Sequence, residues 1–325
     1  MRILIRRSVM ISPKQNKPET GGAPFTTVQE KDEELLAAES EAEARQTSMI
    51  TDIWHRLKKH RLAMAGLIII SVLILTAVFA SVIAPYSYRD QNLDNALLPP
   101  SRDHLFGTDQ FGRDLFSRII YGSRISIAVA FLPVIVSVGI GVLLGAISGY
   151  YGGWIDLLIM RLADIMFAFP SLLFAIAIIF AIGRGILSLF IALALVDWAG
   201  DARLIRGQVL SIRSKEYIEA ARAIGMSDRR IILRHILPNC LAPIIVTVSM
   251  SIPGVILTEA ALSFIGLGVQ PPTPSWGAIL NDGQRFIGNA PWMAFFPGAA
   301  IFLTVLAYNF LGDGLRDAMD PFLKN

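Results

Sequence analysis

The chain has 325 residues, of which 54% are hydrophobic and only 17% charged, with a mean hydropathy of +0.55 and a formal net charge of +3. A soluble domain of this size has no use for uninterrupted apolar runs of about 20 residues, the length that matches the hydrocarbon thickness of a bilayer. Composition therefore excludes an ordinary soluble protein, and the basic balance reads as cytoplasmic loop bias rather than a nucleic-acid footprint. The single cysteine, Cys240, excludes an internal disulfide.

The opening MRILIRRSVMI is too short, and too interrupted by arginine, for a secretory signal, and Met10 is an alternative start. The acidic run 28–46, VQEKDEELLAAESEAEARQ, reads as a solvated tail, with a marginal helix as the alternative. Residues 1–61 are expected to form a partly disordered cytoplasmic tail ahead of a transmembrane domain over 62–325. Six apolar spans follow, at roughly 62–84, 125–149, 155–182, 186–200, 240–260 and 293–312. Leu62–Ala84 carries no charge at all, whereas the fourth span is short and holds Asp197 near its end. Gly183, Arg184 and Gly185 predict a tight turn between the third and fourth spans. The expected class is an all-α integral membrane protein with about six transmembrane helices.

Basic side chains set the orientation. Arg56, Lys58, Lys59 and Arg61 precede the first span, and eight basic against four acidic residues lie between Asp201 and His235. Both segments belong on the cytoplasmic side, and four spans separate them, so the two signals agree. The amino terminus, residues 201–239 and the carboxyl terminus are expected in the cytoplasm, with the connections 85–124 and 261–292 outside. The first outer connection holds five arginines against five aspartates, which runs against the positive-inside tendency. Within the second span Gly141, Gly145 and Gly149 recur every four residues, with Gly139 close by. That small-residue stripe predicts close helix packing, or a helix interface that moves. Pro133, Pro243 and Pro253 lie inside apolar spans and free backbone carbonyls there.

No catalytic constellation emerges, and the chain is expected not to be an enzyme. His55, His60, His104 and His235 are scattered without metal-ligand spacing. There is no G-x-x-x-x-G-K-[ST] phosphate loop, and Gly266-Leu267-Gly268 lacks the third glycine of a dinucleotide site. No metal and no cofactor is expected on this chain. Asp156, Arg161 and Asp164 occupy the first turns of the third span, where Arg161 and Asp164 can pair at i,i+3. Glu259 lies near the outer end of the fifth span, as a weak candidate for meeting a substrate's amino group or as an acid that anchors the outer loop. Ion-driven carriers place ionisable groups at the midplane, and their scarcity here favours a transporter powered from elsewhere.

The cytoplasmic segment 216–239 reads EYIEAARAIGMSDRRIILRHILPN. Glu216, Glu219, Ala220, Ala221 and Ala223 are good helix formers, and Gly225 ends their run. Ser227 and Asp228 suit the start of a second short helix, which Pro238 is expected to stop. The residues alone leave two readings open. One is an amphipathic helix lying on anionic lipid; the other is a knob that docks in a groove of a soluble partner.

Glu219-Ala220-Ala221, Gly225 four residues later and Leu237-Pro238 resemble the cytoplasmic loop of permease subunits in ABC-type importers, with His-Ile-Leu-Pro at 235–238. HLFGTDQFGRDLFSRIIYGSRIS (104–126), GYYGGWIDLLIMRLADIMFAFPSLL (149–173), GLGVQPPTPSWG (266–277) and FLTVLAYNFLGDGLRDAMDP (302–321) are similar to the second permease of dipeptide, oligopeptide or nickel importers. In DWAGDARLIRGQ (197–208), Asp201 stands where that branch commonly has an aromatic residue, a departure that bears on loop packing.

The resemblance implies a type I importer permease fold in the cytoplasmic membrane, supplying half of a two-fold pathway for di- or oligopeptides. It implies a second homologous permease, two ATPase subunits that use ATP and Mg²⁺, an extracytoplasmic substrate-binding protein, and membrane lipid as partners. The knob is then the coupling helix, seated in an ATPase cleft. Glu219, Ala220, Ala221, Gly225, Arg229, Arg230, Leu237 and Pro238 become the coupling residues, with Glu219 facing a partner cation. Arg229, Arg230 and Arg234 face partner carboxylates or lipid headgroups. Trp276 with Pro271, Pro272 and Pro274 forms either a docking surface for the binding protein or a folded lid. Nickel or another small solute is the alternative cargo, and a membrane scaffold that recruits a soluble partner is the alternative function.

Overall fold

A computed structural model of the chain describes residues 51–319. The acidic run 28–46, the alternative start at Met10 and most of the expected tail lie outside the described residues. The chain divides into two units, Met1–Asp52 and Ile53–Asn325, and the architecture below is that of the second. Residues 53–59 are already helical, so the end of the expected tail is structured. Helices α1 (Arg61–Val78) and α2 (Ala80–Ile83) lead into a long outer connection, and α3 (Leu115–Tyr151) returns through the membrane. Then come α4 (Gly153–Ala168), α5 (Ser171–Ile182) and α6 (Ile186–Arg213). The short α7 (Glu216–Ala223) and α8 (Asp228–Ile231) precede α9 (Leu241–Phe264), α10 (Trp276–Gln284) and α11 (Trp292–Met319). Among the described residues the only β pairing is an isolated bridge between Thr108 and Asp114.

All six expected spans fall on helices, although they are not equivalent. Four helical runs are long and apolar enough to cross a membrane alone: Arg61–Val78, Leu115–Tyr151, Asp228–Phe264 and Trp292–Met319. The third expected span is broken: α4 and α5 meet at 94°, and only taken together are they long and apolar enough for a fifth crossing, as one broken span or a re-entrant loop; α6 is not among the helices that qualify. The cause is local: Phe169, held extended ahead of Pro170 (φ −107°, ψ 138°), leaves the helical region. The fourth span, α6, carries Asp197, Asp201 and Arg203 and runs on to Arg213, so the expected cytoplasmic loop is helical through its first 13 residues. Pro133, Pro253 and Pro297 sit inside helices that continue past them.

The glycine stripe of α3 faces α6, in the most extensive helix pairing among the described residues. A Cβ on Gly141 would stand 2.4 Å from Asp201 Cβ, one on Gly145 2.5 Å from the Ala202 carbonyl, and one on Gly149 2.9 Å from the Arg206 carbonyl. Backbones can come this close only where side chains are absent. Gly139 has nothing within 4 Å and does not belong to the stripe. Asp201 is therefore a buried helix residue, 3.3 Å from Ser137 Oγ, and not a loop residue. Further charges stitch the same region together. Arg206 donates two 2.6 Å hydrogen bonds to Asp156, which Ser148 also reaches. Arg161 and Asp164 do pair at 3.5 Å, but Arg203 of α6 reaches Asp164 more closely, at 2.9 Å.

The two connections expected outside fold on one another around a buried ion network. Asp109 accepts from Arg113 Nε at 2.6 Å, Arg118 Nη1 at 2.5 Å, and the amides of Phe111 and Arg113. Arg118 also reaches Asp282 of α10 at 3.3 Å. Arg124 instead donates to the carbonyls of Ala77 and Val78, where α1 breaks. Three of the five arginines in this connection are thus consumed within the fold, a physical reason for a count that opposes the orientation rule. Trp276, considered above as a docking surface, is buried: its indole donates to the Ile119 carbonyl at 3.1 Å and its amide to Ser126 Oγ at 2.9 Å. Pro274 is buried as well, while Pro271 and Pro272 remain exposed. The lid reading fits these contacts better.

Two consequences follow for stability, both readable as thermal midpoints of the detergent-solubilised protein. Gly145→Ala should cost about 1–3 kcal/mol through overpacking, whereas Gly139→Ala, with open space around it, should be neutral or slightly stabilising. Asp109→Asn leaves two buried guanidinium groups short of their partner and should cost about 3–5 kcal/mol, while Arg161→Ala, at an exposed pair, should cost no more than about 1 kcal/mol.

Candidate functional site

The knob begins where α6 ends. Ser214 and Lys215 turn the chain, and α7 forms from the alanine-rich run. Its end is built on Gly225, at φ +77°, a left-handed conformation that side chains with a Cβ rarely adopt. The Gly225 amide donates to Arg222 O at 2.9 Å and the Met226 amide to Ala221 O at 3.1 Å, the paired bonds of a Schellman motif. Met226 packs on the apolar cluster that includes Ala221, in keeping with that motif. A Cβ on Gly225 would meet nothing within 4 Å, so backbone geometry requires the glycine and the space above it is open.

The second half departs from expectation in two ways. Ser227 has the extended backbone of a helix-capping residue, but its side chain makes no capping hydrogen bond. Asp228 is claimed instead by Tyr150, whose hydroxyl donates to it at 2.6 Å. Nor does Pro238 stop the helix. Residues Ile232–Ile236 widen into a π turn, with the Leu237 amide donating to Ile232 O, and Leu237–Cys240 tighten into a 3₁₀ turn that runs directly into α9. Proline cannot bond to the carbonyl four residues back and collides with it; the widened turn moves that carbonyl aside. Pro238 thus marks a change of helical register inside one continuous run from Asp228 to Phe264.

The expected coupling residues divide between two faces. Ala221, with Ile218, Ile231, Ile236 and Cys240, is buried against Ala146, Tyr150, Ile205 and Val209, and Leu237 packs on the same cluster. Pro238 is half-buried beside it. Glu219, Ala220, Gly225, Arg229 and Arg230 are exposed. Next to them stand three large apolar side chains open to solvent, namely Tyr217, Ile224 at 78% exposure and Leu233. The knob therefore has a fixed apolar base and a free outer surface of mixed charge and hydrophobicity. Tyr150, Arg213 and Arg222, which brace the base, carry no motif signature.

Glu259 lies apart from the knob, near the C-terminal end of α9. It is 3% exposed and accepts from Ser263 Oγ at 2.7 Å and Ser275 Oγ at 3.1 Å. Gly277 packs against it, where an added Cβ would lie 3.1 Å from Oε2 and 2.8 Å from Ser263 Cβ. Those contacts tie the loop 265–275 to α9. Ser263 was legible as a same-face neighbour at i+4, whereas Ser275 was not.

Comparison with known proteins places this geometry. Residues 141–325, which include the glycine stripe, the knob and Glu259, match the family model for the binding-protein-dependent transport system inner membrane component. Residues 48–100 match the N-terminal TM domain of oligopeptide transport permease C. The dipeptide transport system permease protein DppC of Alkalihalophilus pseudofirmus is 50% identical over 274 residues, 84% of this chain and 90% of that protein. The glutathione transport system permease protein GsiD of Escherichia coli is 47% identical over the same length and shares. The oligopeptide transport system permease protein OppC of Bacillus subtilis is 43% identical over 277 residues, 85% of this chain and 91% of that protein. With its helical spans, its exposed knob and its interlocked loops, the chain belongs to the family of inner-membrane components of binding-protein-dependent transport systems.

Proposed function

We propose that this chain is one permease half of an ATP-driven importer of di- or oligopeptides. Peptide cargo is supported by the relatives, which are named for dipeptide, oligopeptide and glutathione transport, glutathione itself being a tripeptide. The observation that carries the ATP-driven reading is the knob. Its outer surface offers Glu219 and Ala220, an uncovered Gly225 and the exposed Ile224, while its base is locked to α3 and α6 by buried apolar side chains. A rigid base under an open, mixed surface suits a groove on a soluble partner, and an ATPase subunit that binds ATP and Mg²⁺ is that partner. A second, homologous permease completes the pathway, and an extracytoplasmic binding protein delivers cargo to the outer loops. Both termini then lie in the cytoplasm. Glu219 faces a partner cation, while Arg229 and Arg230 face partner carboxylates or lipid headgroups. Glu259 serves the outer loop rather than the cargo, since its carboxylate is enclosed by two serine hydroxyls.

Purification from its native membrane should bring down a second permease and two ATPase subunits, and liposomes holding the complex should hydrolyse ATP faster when loaded binding protein is added. A partner set without any ATPase would point to a scaffold instead. Ligand screening of the cognate binding protein separates peptide from nickel or another small solute. Gly225→Asp places a charged side chain at a left-handed position and in the space left for the partner. It should reduce transport more than tenfold while membrane insertion, read by protease protection, stays normal. Normal transport by that variant would exclude the knob as the coupling element.

A further inference from the structure

Three consecutive residues at the cytoplasmic end of α3 contact α4, α6 and both helices of the knob. Ser148 bonds to Asp156 of α4, which is itself held by Arg206 of α6. The carbonyls of Gly149 and Tyr150, left unpaired by the helix end, accept from Arg213 Nη1 at 3.2 Å and 2.9 Å. The Tyr150 side chain then reaches past the end of α3 to both halves of the knob. Its hydroxyl donates to Asp228 Oδ1 at 2.6 Å in α8, and Arg222 of α7 stacks over its ring, 5.1 Å from the centroid. Tyr150 is 5% exposed and belongs to the apolar cluster beneath the knob.

This placement is specific. The two knob helices are joined through the Gly225 turn, where Gly225 itself has no side chain and Met226 rests on the apolar cluster beneath. Apolar packing fixes their depth but not their angle, because such contacts have no direction. The hydrogen bond from Tyr150 does have a direction, and its acceptor is a carboxylate, which makes it a strong one. One side chain anchored in α3 therefore sets the orientation of α8 through its hydroxyl and of α7 through its ring. The same helix carries the glycine stripe that meets α6.

We propose that Tyr150 is the positioning residue that holds the knob in register with α3, so that displacement of the knob is delivered to the membrane helices rather than absorbed at the Gly225 turn. The proposal rests on the reading of this chain as an ATP-driven permease. It assigns Tyr150 to the coupling between hydrolysis and transport, not to partner binding or cargo contact.

The test uses the complete transporter in liposomes, with both permeases, the ATPase subunits and the loaded binding protein, and reads cargo moved per ATP hydrolysed. Tyr150→Phe keeps the ring under Arg222 and removes only the hydroxyl. It should lower that ratio about tenfold, the size of effect expected for a hydrogen bond to a charged group. Asp228→Ala should do the same, and the double variant should be no worse than either single one, because one bond is lost in all three. Tyr151→Phe, the same chemical change at the neighbouring and half-exposed position, should leave the ratio at the wild-type value. A wild-type ratio in Tyr150→Phe would overturn the proposal, and so would effects that multiply in the double variant. Failure of Tyr150→Phe to copurify with the other subunits would show a folding role and overturn it as well. If the wild-type complex itself moves no cargo with ATP, the parent reading fails, and the wild-type arm alone reveals that.

Discussion

The close approach of α3 to α6 is the constraint on which the other contacts depend. With three glycines on one face, the α3 backbone comes near enough to α6 for Gly141, Gly145 and Gly149 to lie against Asp201, Ala202 and Arg206 in turn. In lipid the hydrophobic effect gives helices little reason to associate, so dense packing has to supply the attraction. Once the two backbones are in contact, Arg206 lies within reach of Asp156 and Arg213 within reach of the carbonyls that end α3. Those polar contacts could not form around a looser interface. The seat of the knob is assembled from the same two helices, by Ala146 and Tyr150 on one side and Ile205 and Val209 on the other.

Charge is sparse in this chain, and most of what lies near apolar surface is paired. Asp109 holds two arginines, and Asp156 holds one arginine together with a serine. Removing water from an ion is expensive, and the geometry of these pairs recovers the loss through hydrogen bonds as well as attraction. At Asp109 both carboxylate oxygens are occupied, one by guanidinium groups and the other by backbone amides. Such a site tolerates little rearrangement. It gives the outer loops a fixed shape where a lid of prolines and glycines alone would have none.

Much of this was legible in the sequence, for identifiable reasons. Spans follow from runs of apolar residues, and the glycine stripe from a spacing of four, because both are local periodicities. The Gly225 turn follows from chemistry that only glycine satisfies. What stayed hidden depends on distant partners or on how the chain adjusts to a conflict. Asp109 meets Asp282 only through Arg113 and Arg118, and no local pattern announces contacts between residues that far apart. Trp276 reads as surface when judged by its proline-rich neighbours, yet the fold buries it under α3. Pro238 reads as a stop, but a π turn upstream absorbs the clash and the helix survives. The break in the third span was hidden for the opposite reason: the proline was in view, but the apolar run around it continued unbroken.

The unbroken run from Asp228 to Phe264 has a mechanical consequence. Thirty-seven helical residues measure about 55 Å at the ordinary rise, more than the full thickness of a bilayer with its headgroups. One end of this rod is half of the knob, and near the other Glu259 grips the loop 265–275. A tilt applied at one membrane face is therefore felt at the opposite face, with no linker in between to dissipate it. The π turn at 232–236 and Pro253 are the places where such a rod has the least resistance to bending, and both lie within it rather than at its ends.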